Sequence, residues 1–311
     1  MNIVRKEYTY PSVTGVADIF ARSWSPENGE IKAVVQLAHG MAEHGERYEE
    51  MAGYLCEQGY AFIINDHAGH GRSVRSNDDL GYFNGDKNTA GAGFVEDVHK
   101  LTLIAKEEFN KPVILMGHSM GSFVTRHYIT KYASDIIGAI ICGTAGPNPA
   151  AAAGILMASL VEKAKGAKFK SEFINGLAFG TYNKRFEKRT AFDWLSVNKE
   201  NIDKYIADDY CGFLFTVSGY KNLFELLKFV SEPGAFEKTP SNLPMYLIAG
   251  TDDPVGMYGK GVKTVFNKFR ETGHKNVQIK LYEGLRHEIH NEDERFAVYA
   301  DIASWCDSVI G

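Results

Sequence analysis

The strongest constraint on this fold is a set of short segments that are apolar on both faces. Lys32–Ala38 (KAVVQLA), Ala61–Asn65 (AFIIN), Pro112–Met116 (PVILM), Ile136–Cys142 (IIGAIIC) and Pro244–Ala249 (PMYLIA) show no polar alternation. A strand of that kind must be buried on both sides, which points to a parallel sheet covered by helices. The intervening segments supply the helices. Arg47–Gln58 carries Tyr48, Met51 and Leu55 at helical spacing, and Gly59 ends it. Gly91–Phe109 carries Phe94, Val98, Leu101 and Ile104 in the same way. Helices are also predicted over Ser119–Tyr132, Gly259–Thr272 and Asp293–Val309, with a last strand at Val277–Tyr282. At the start, Asn2–Pro11 and Val16–Ser25 have period-2 character around a Thr14-Gly15 turn and predict an antiparallel pair.

This strand–helix rhythm stops near residue 145 and restarts near 241. The middle has helical stretches and many aromatics, among them Phe179, Tyr182, Trp194, Phe213 and Phe215, but no convincing strand. The 311 residues are about twice the usual domain size. No Ser/Gly/Pro-rich linker flanks the middle. The expected organisation is therefore one α/β core, residues 1–146 and 241–311, with a helical cap, 147–240, inserted between its strands. The lysines at 163, 165, 168 and 170 read as a solvated helix face, with contact to an anionic membrane surface as the alternative.

Charge and cysteine usage exclude some functions. The net charge is −5, where a nucleic-acid binder would more often carry a basic excess. Met1–Tyr8 contains no apolar core for a signal peptide. No apolar run reaches the roughly 18 residues of a membrane span, so no stable membrane insertion is expected. Cys56, Cys142, Cys211 and Cys306 lie far apart without a CxxC pair. They read as reduced thiols of a cytoplasmic protein, not a disulfide framework or zinc site.

The chemistry starts at Gly117-His118-Ser119-Met120-Gly121, directly after the PVILM strand and opening a helix. This is GxSxG in strand–turn–helix context, the nucleophile elbow of α/β-hydrolases. A serine on so tight a turn needs near-absent side chains two residues before and after it, and Gly117 and Gly121 meet that need. A serine hydroxyl is a weak nucleophile. It requires a base, and the base an orienting acid, in the chain order Ser, Asp/Glu, His. The loop after PMYLIA offers Asp252 and Asp253. The loop after VQIKLY offers His287 and His290. Asp253 is the preferred acid and His287, closer to its strand, the preferred base. The developing oxyanion needs two backbone N–H donors. One is expected from Met120. The other is expected from Met41, in the loop His39–Gly45 after the KAVVQLA strand. His39, His118 and Phe213 are candidate pocket residues. His118 is expected to pack beside the elbow and not to act as the base. Asp66-His67-Ala68-Gly69-His70 superficially suggests a metallohydrolase cluster, but no HxH or HExxH is present and no catalytic metal is expected. With no GxxxxGK[ST] and no strand-linked GxGxxG, no cofactor is expected either.

These motifs resemble the monoacylglycerol lipase/lysophospholipase branch of the serine α/β-hydrolases. The resemblance is carried by His39-Gly40-Met41-Ala42-Glu43-His44 with Arg47-Tyr48, by Asp66-His67-Ala68-Gly69-His70-Gly71-Arg72-Ser73, by the elbow, by Gly250-Thr251-Asp252-Asp253-Pro254-Val255 and by Arg286-His287-Glu288. In the middle segment, Tyr182-Asn183-Lys184, Trp194-Leu195-Ser196 and Cys211-Gly212-Phe213 resemble the cap of bacterial lysophospholipase-like members. The resemblance implies an α/β-hydrolase fold with Ser119, Asp253 and His287 as triad and Met41 and Met120 as oxyanion donors. It also implies a small-molecule acyl ester as substrate. Members of the branch usually carry a small residue where Met41 stands, so a narrower acyl pocket is expected here. An aminopeptidase using the same triad, or a binding protein that has lost catalysis, are the competing functions.

Overall fold

The computed structural model describes residues 2–83 and 91–310. Its strands are β1 (Ile3–Pro11), β2 (Asp18–Pro26), β3 (Val34–Ala38), β4 (Ala61–Asn65), β5 (Val113–His118), β6 (Gly138–Cys142), β7 (Met245–Gly250) and β8 (Val277–Tyr282). They form one sheet in the order β1-β2-β4-β3-β5-β6-β7-β8. The first two pairings, β1–β2 and β2–β4, are antiparallel, and the rest are parallel. Every residue of β3 to β7 is buried, as strands covered on both faces must be.

The helices of the alternating regions are α1 (Glu49–Glu57), α2 (Ala92–Phe109) and α3 (Met120–Tyr128), and after the insertion α9 (Lys260–Glu271) and α10 (Arg295–Ile310). One face of the sheet packs on α2, α3 and α9 and the other on α1 and α10, giving two apolar cores divided by the sheet. Between β6 and β7 lie α4 (Ala150–Lys165), α5 (Glu172–Phe179), α6 (Lys199–Ala207), α7 (Val217–Ser231) and α8 (Pro233–Lys238). That segment contains no strand among the described residues, only one bridge between Lys170 and Thr216. Its α7 packs on α4 and on α3, so α3 is buried all round between the sheet and the inserted helices.

Two local expectations need correction. The helix after the elbow stops at Tyr128 and not at 132. The amides of Thr130 and Lys131 bond back three residues, to His127 and Tyr128, which tightens the chain out of the helix. The lysine run is not one helix face. Lys163 and Lys165 close α4, whereas Lys168 lies beyond it and pairs with Asp79 at 2.6 Å. Among the described residues no helix is long and apolar enough to cross a membrane.

The loops after β3, β5, β7 and β8 all leave the same edge of the parallel sheet, where open α/β folds place their sites. The tightest is the β5–α3 turn. A Cβ on Gly117 would stand 2.1 Å from the Gly121 carbonyl oxygen, and one on Gly121 would stand 1.9 Å from that of Ala38. Backbone on both sides cannot yield cheaply. Gly121→Ala is therefore expected to destabilise the protein by about 3 kcal/mol or more, read as loss of the unfolding midpoint in urea. An unchanged midpoint would contradict this packing.

Candidate active site

Ser119 sits in the β5–α3 turn with φ +54° and ψ −119°, a conformation that L residues avoid unless their surroundings enforce it. Two contacts enforce it here. The Ser119 amide donates to the Cys142 carbonyl at 3.0 Å, and the Ser119 carbonyl accepts from the Ser122 amide at 2.9 Å. Ser119 is the half-buried residue in an otherwise buried stretch from Val113 to Ile129. Its Oγ has no hydrogen-bond partner among the described residues and faces a cavity of about 980 Å³. That volume lies at the upper end for small-molecule sites.

His287 lies beyond β8, buried, with its Nδ1 3.0 Å from Asp253 Oδ1. The ring N–H is not aligned on that oxygen, so the contact is a close charge approach and not a linear hydrogen bond. Asp253 is fully buried behind His287, and its Oδ1 also accepts from the Val255 amide at 2.8 Å. Burial disfavours a charged imidazole. The Asp253 carboxylate outweighs it, with help from Glu288 and Glu43, and His287 is raised above its ordinary 6.5. The rings of Trp194 and His118 stand 5.2 and 4.8 Å from that of His287.

The amides of Met41 and Met120 take no acceptor among the described residues, and both residues line the cavity beside Ser119. The Met41 loop presses on the elbow. A Cβ on Gly40 would lie 3.2 Å from Ser119 Cβ and 2.5 Å from Glu43 Oε1. His118 and Phe213 line the cavity.

His39 does not. It is fully buried beneath its loop, where Nε2 accepts from the His67 amide at 2.9 Å and Nδ1 meets the Gly40 carbonyl. Burial takes His39 and His70 down to about 3, so both are neutral packing groups. His290 stacks on Tyr48 with ring centroids 4.8 Å apart and is likewise absent from the cavity wall. The expected narrowing by Met41 does not arise. Met41 forms one wall, while the volume extends between inserted-segment residues such as Met157, Phe179, Leu223 and Phe224.

The family described as serine aminopeptidase, S33, matches residues 29–294. The chain belongs to this family. The monoacylglycerol lipase of Mycolicibacterium smegmatis is 28% identical over 306 residues, spanning 97% of this chain and 96% of that one. Human monoglyceride lipase is 28% identical over 303 residues, spanning 92% and 86%. A highly thermostable carboxyl esterase from Bacillus coagulans, solved in complex with glycerol, superposes with a TM-score of 0.92 at 30% identity over 99% of both chains. The protein is a serine hydrolase of the α/β-hydrolase fold.

Sequence reasoning missed what holds these loops together. Glu43, almost completely buried, accepts from the Gly40 amide (2.6 Å), Arg47 (2.6 Å) and the Tyr48 hydroxyl (2.9 Å), and lies 3.3 Å from His118 Nδ1. Arg47 also forks onto both oxygens of Glu288, at 2.8 and 2.7 Å. Glu288 Oε2 further accepts from Asn201 on α6 (2.8 Å) and from Asn291 (3.1 Å). Burial would raise both carboxyl groups, but the groups that hydrogen-bond and pair with them win. His118 and Arg47 bring Glu43 well below the usual range, and Arg47 brings Glu288 to about 2. The available signal was the Glu43/Arg47 spacing of four, which reads from sequence as an ordinary surface helix pair.

Removing Arg47 would leave two buried carboxylates without their counter-charge. Arg47→Ala is expected to cost about 3–5 kcal/mol, measured by chemical unfolding. A loss within 1 kcal/mol, the range of an exposed pair, would show the network to be dispensable.

Proposed function

We propose that the protein hydrolyses carboxylic esters through an acyl-enzyme on Ser119, with monoacylglycerol- or lysophospholipid-like acyl esters as substrates. The observation that carries this reading is a strained, half-exposed serine at the wall of a large apolar cavity, beside a buried His287–Asp253 pair. In this reading Ser119 Oγ attacks the ester carbonyl and His287 takes its proton. Asp253 holds the imidazole tautomer and stabilises the imidazolium. The Met41 and Met120 amides receive the oxyanion. His287 then protonates the departing alcohol, and water repeats the cycle on the acyl-enzyme. No step requires a cofactor.

The cavity supports an acyl chain as the bound group. Residues 147–240, read as a cap over the core, contribute most of its wall. Met157, Leu177 and Met257 line it and are also exposed, which marks an apolar mouth. The names of the lipase relatives, and the glycerol held by the related esterase, agree with an ester of a small polyol.

The family description raises an aminopeptidase as the rival. Such an enzyme needs a carboxylate free to hold a substrate ammonium. Among the described residues the cavity wall offers Glu43 and Glu288, and every oxygen of both is already engaged. A hydrolysis panel of monoacylglycerols, lysophospholipids, p-nitrophenyl esters of rising chain length and aminoacyl amides separates the two. Faster turnover of the amides would overturn the ester reading.

Two further outcomes are expected. Ser119→Ala should lower kcat by about 10⁶ on the best ester without loss of the fold; a loss below tenfold would remove Ser119 from the mechanism. The base must be neutral to accept a proton, and His287 is raised. Activity should therefore fall as the pH drops through a value above 6.5. Asp253→Asn removes the main raising group, so the limb should move to lower pH while the rate drops. A wild-type kcat/KM profile flat down to pH 5 would contradict His287 as base.

A further inference from the structure

Outside this cavity, one cluster of side chains has donor chemistry that the reaction leaves unused. His44 lies in the loop after β3. Asp208 and Cys211 lie on one turn after α6, where the Cys211 amide donates to the Asp208 carbonyl at 3.0 Å. His44 Nε2 and Asp208 Oδ2 are 2.8 Å apart, and the Cys211 sulfur lies within 4.8 Å of a ring nitrogen of His44 and a carboxylate oxygen of Asp208. We propose that His44, Asp208 and Cys211 bind a divalent cation of the zinc type, at the seam between the core loop that carries Met41 and the inserted segment.

The donor set argues for that class of ion. Imidazole nitrogen, carboxylate oxygen and thiolate sulfur are the three ligand types that Zn²⁺ accepts, and three protein ligands leave its fourth position to water. Bond lengths of about 2.0–2.3 Å place tetrahedral donors about 3–4 Å from one another. The His44–Asp208 pair is already near that spacing, and side-chain rotation alone can bring in the sulfur. The Asp208 side chain is 31% exposed, which leaves the ion a path from solvent. The nearby cation, Arg47, is compensated by Glu43 and Glu288. Burial raises the Cys211 thiol, so it stays protonated until a metal claims it. Binding then forms a metal–sulfur bond and releases the thiol proton to solvent, and affinity should rise with pH. The similarly close group His118, Cys142 and His290 is less suited. All three are buried, and the nitrogens of His118 already meet Tyr48, Glu43 and the His287 carbonyl.

The site would also have a mechanical consequence. The Ala42 carbonyl already accepts from the Gly212 amide and the Tyr205 hydroxyl, both at 3.0 Å. An ion there would turn the direct His44–Asp208 contact into a three-residue tie across the same seam.

The test reads binding and not hydrolysis, so it stands apart from the proposed reaction. The full-length protein is titrated with Co²⁺ alone, then with Zn²⁺. One Co²⁺ per chain is expected, with a thiolate-to-cobalt charge-transfer band that Zn²⁺ abolishes. Zn²⁺ should also raise the Tm and slow alkylation of Cys211. Cys211→Ser should remove the band, and His44→Gln should weaken binding by about tenfold or more. No thiolate band in the wild type, a band that survives Cys211→Ser, or an alkylation rate unchanged by Zn²⁺ would each overturn the site. The alkylation measurement uses the wild-type protein and so does not depend on either variant folding.

Discussion

The arrangement around Ser119 depends on a buried ion network of two carboxylates and one guanidinium. Glu43 holds the loop after β3, Glu288 follows His287 in the loop after β8, and Arg47 joins them. Charges so deeply buried are tolerated only when paired and fully hydrogen-bonded. Here the remaining lone pairs are taken by the Gly40 amide, Tyr48, Asn201 and Asn291. The same bonds that satisfy the charges fix the positions of the two loops. Glu43 pins Gly40, the residue before Met41. Glu288, the residue after His287, is pinned in turn by Arg47. The distance between the proposed oxyanion donor and the proposed base is therefore set by one planar guanidinium.

The segment between β6 and β7 takes part in this positioning. Glu288 donates its amide to the Leu195 carbonyl at 2.8 Å. Arg286 donates to the Asp193 and Ser196 carbonyls and forks onto Glu187. Glu292 accepts from the Ser196 hydroxyl and from the Arg286 amide, so it bridges the same two parts from the other side. The loop that carries His287 is held by the α5–α6 connection as well as by the sheet. At the opposite end of the insertion, the fully buried Arg126 of α3 donates to Ala145, just after β6, and to Val230 near the end of α7. The surroundings of His287 are consequently shielded from water, which strengthens its interaction with Asp253.

Much of the fold was legible because it follows from local pattern. Wholly apolar segments can exist only between two helical layers, so β3 to β7 and their parallel pairing could be read from composition within each segment. The elbow was legible for the same reason. A serine flanked by glycines between a strand and a helix has few other uses, and the backbone clashes at Gly117 and Gly121 are the physical content of that motif. Asp253 and His287 could be proposed because each loop follows directly from a strand whose end is set by the sheet. His39 was misplaced because a histidine next to the loop can face either the cavity or the core, and spacing does not distinguish the two.

By itself the sequence determined the sheet, the turn and the chain order of the proposed reactive residues, because those rest on interactions between near neighbours in the chain. The tertiary structure alone decided which polar groups meet. Arg47 and Glu288 are 241 positions apart, and His44 and Asp208 are 164 apart. Such pairs leave no periodic trace, since each partner looks like an ordinary surface charge in its own segment. They become neighbours only after the sheet has brought its loops to one edge and the inserted helices have closed over them. Cavity size was decided in the same way. Met41 alone predicted a narrow pocket, but the volume is set by how far α4, α5 and α7 stand from the sheet, which is a property of packing between elements.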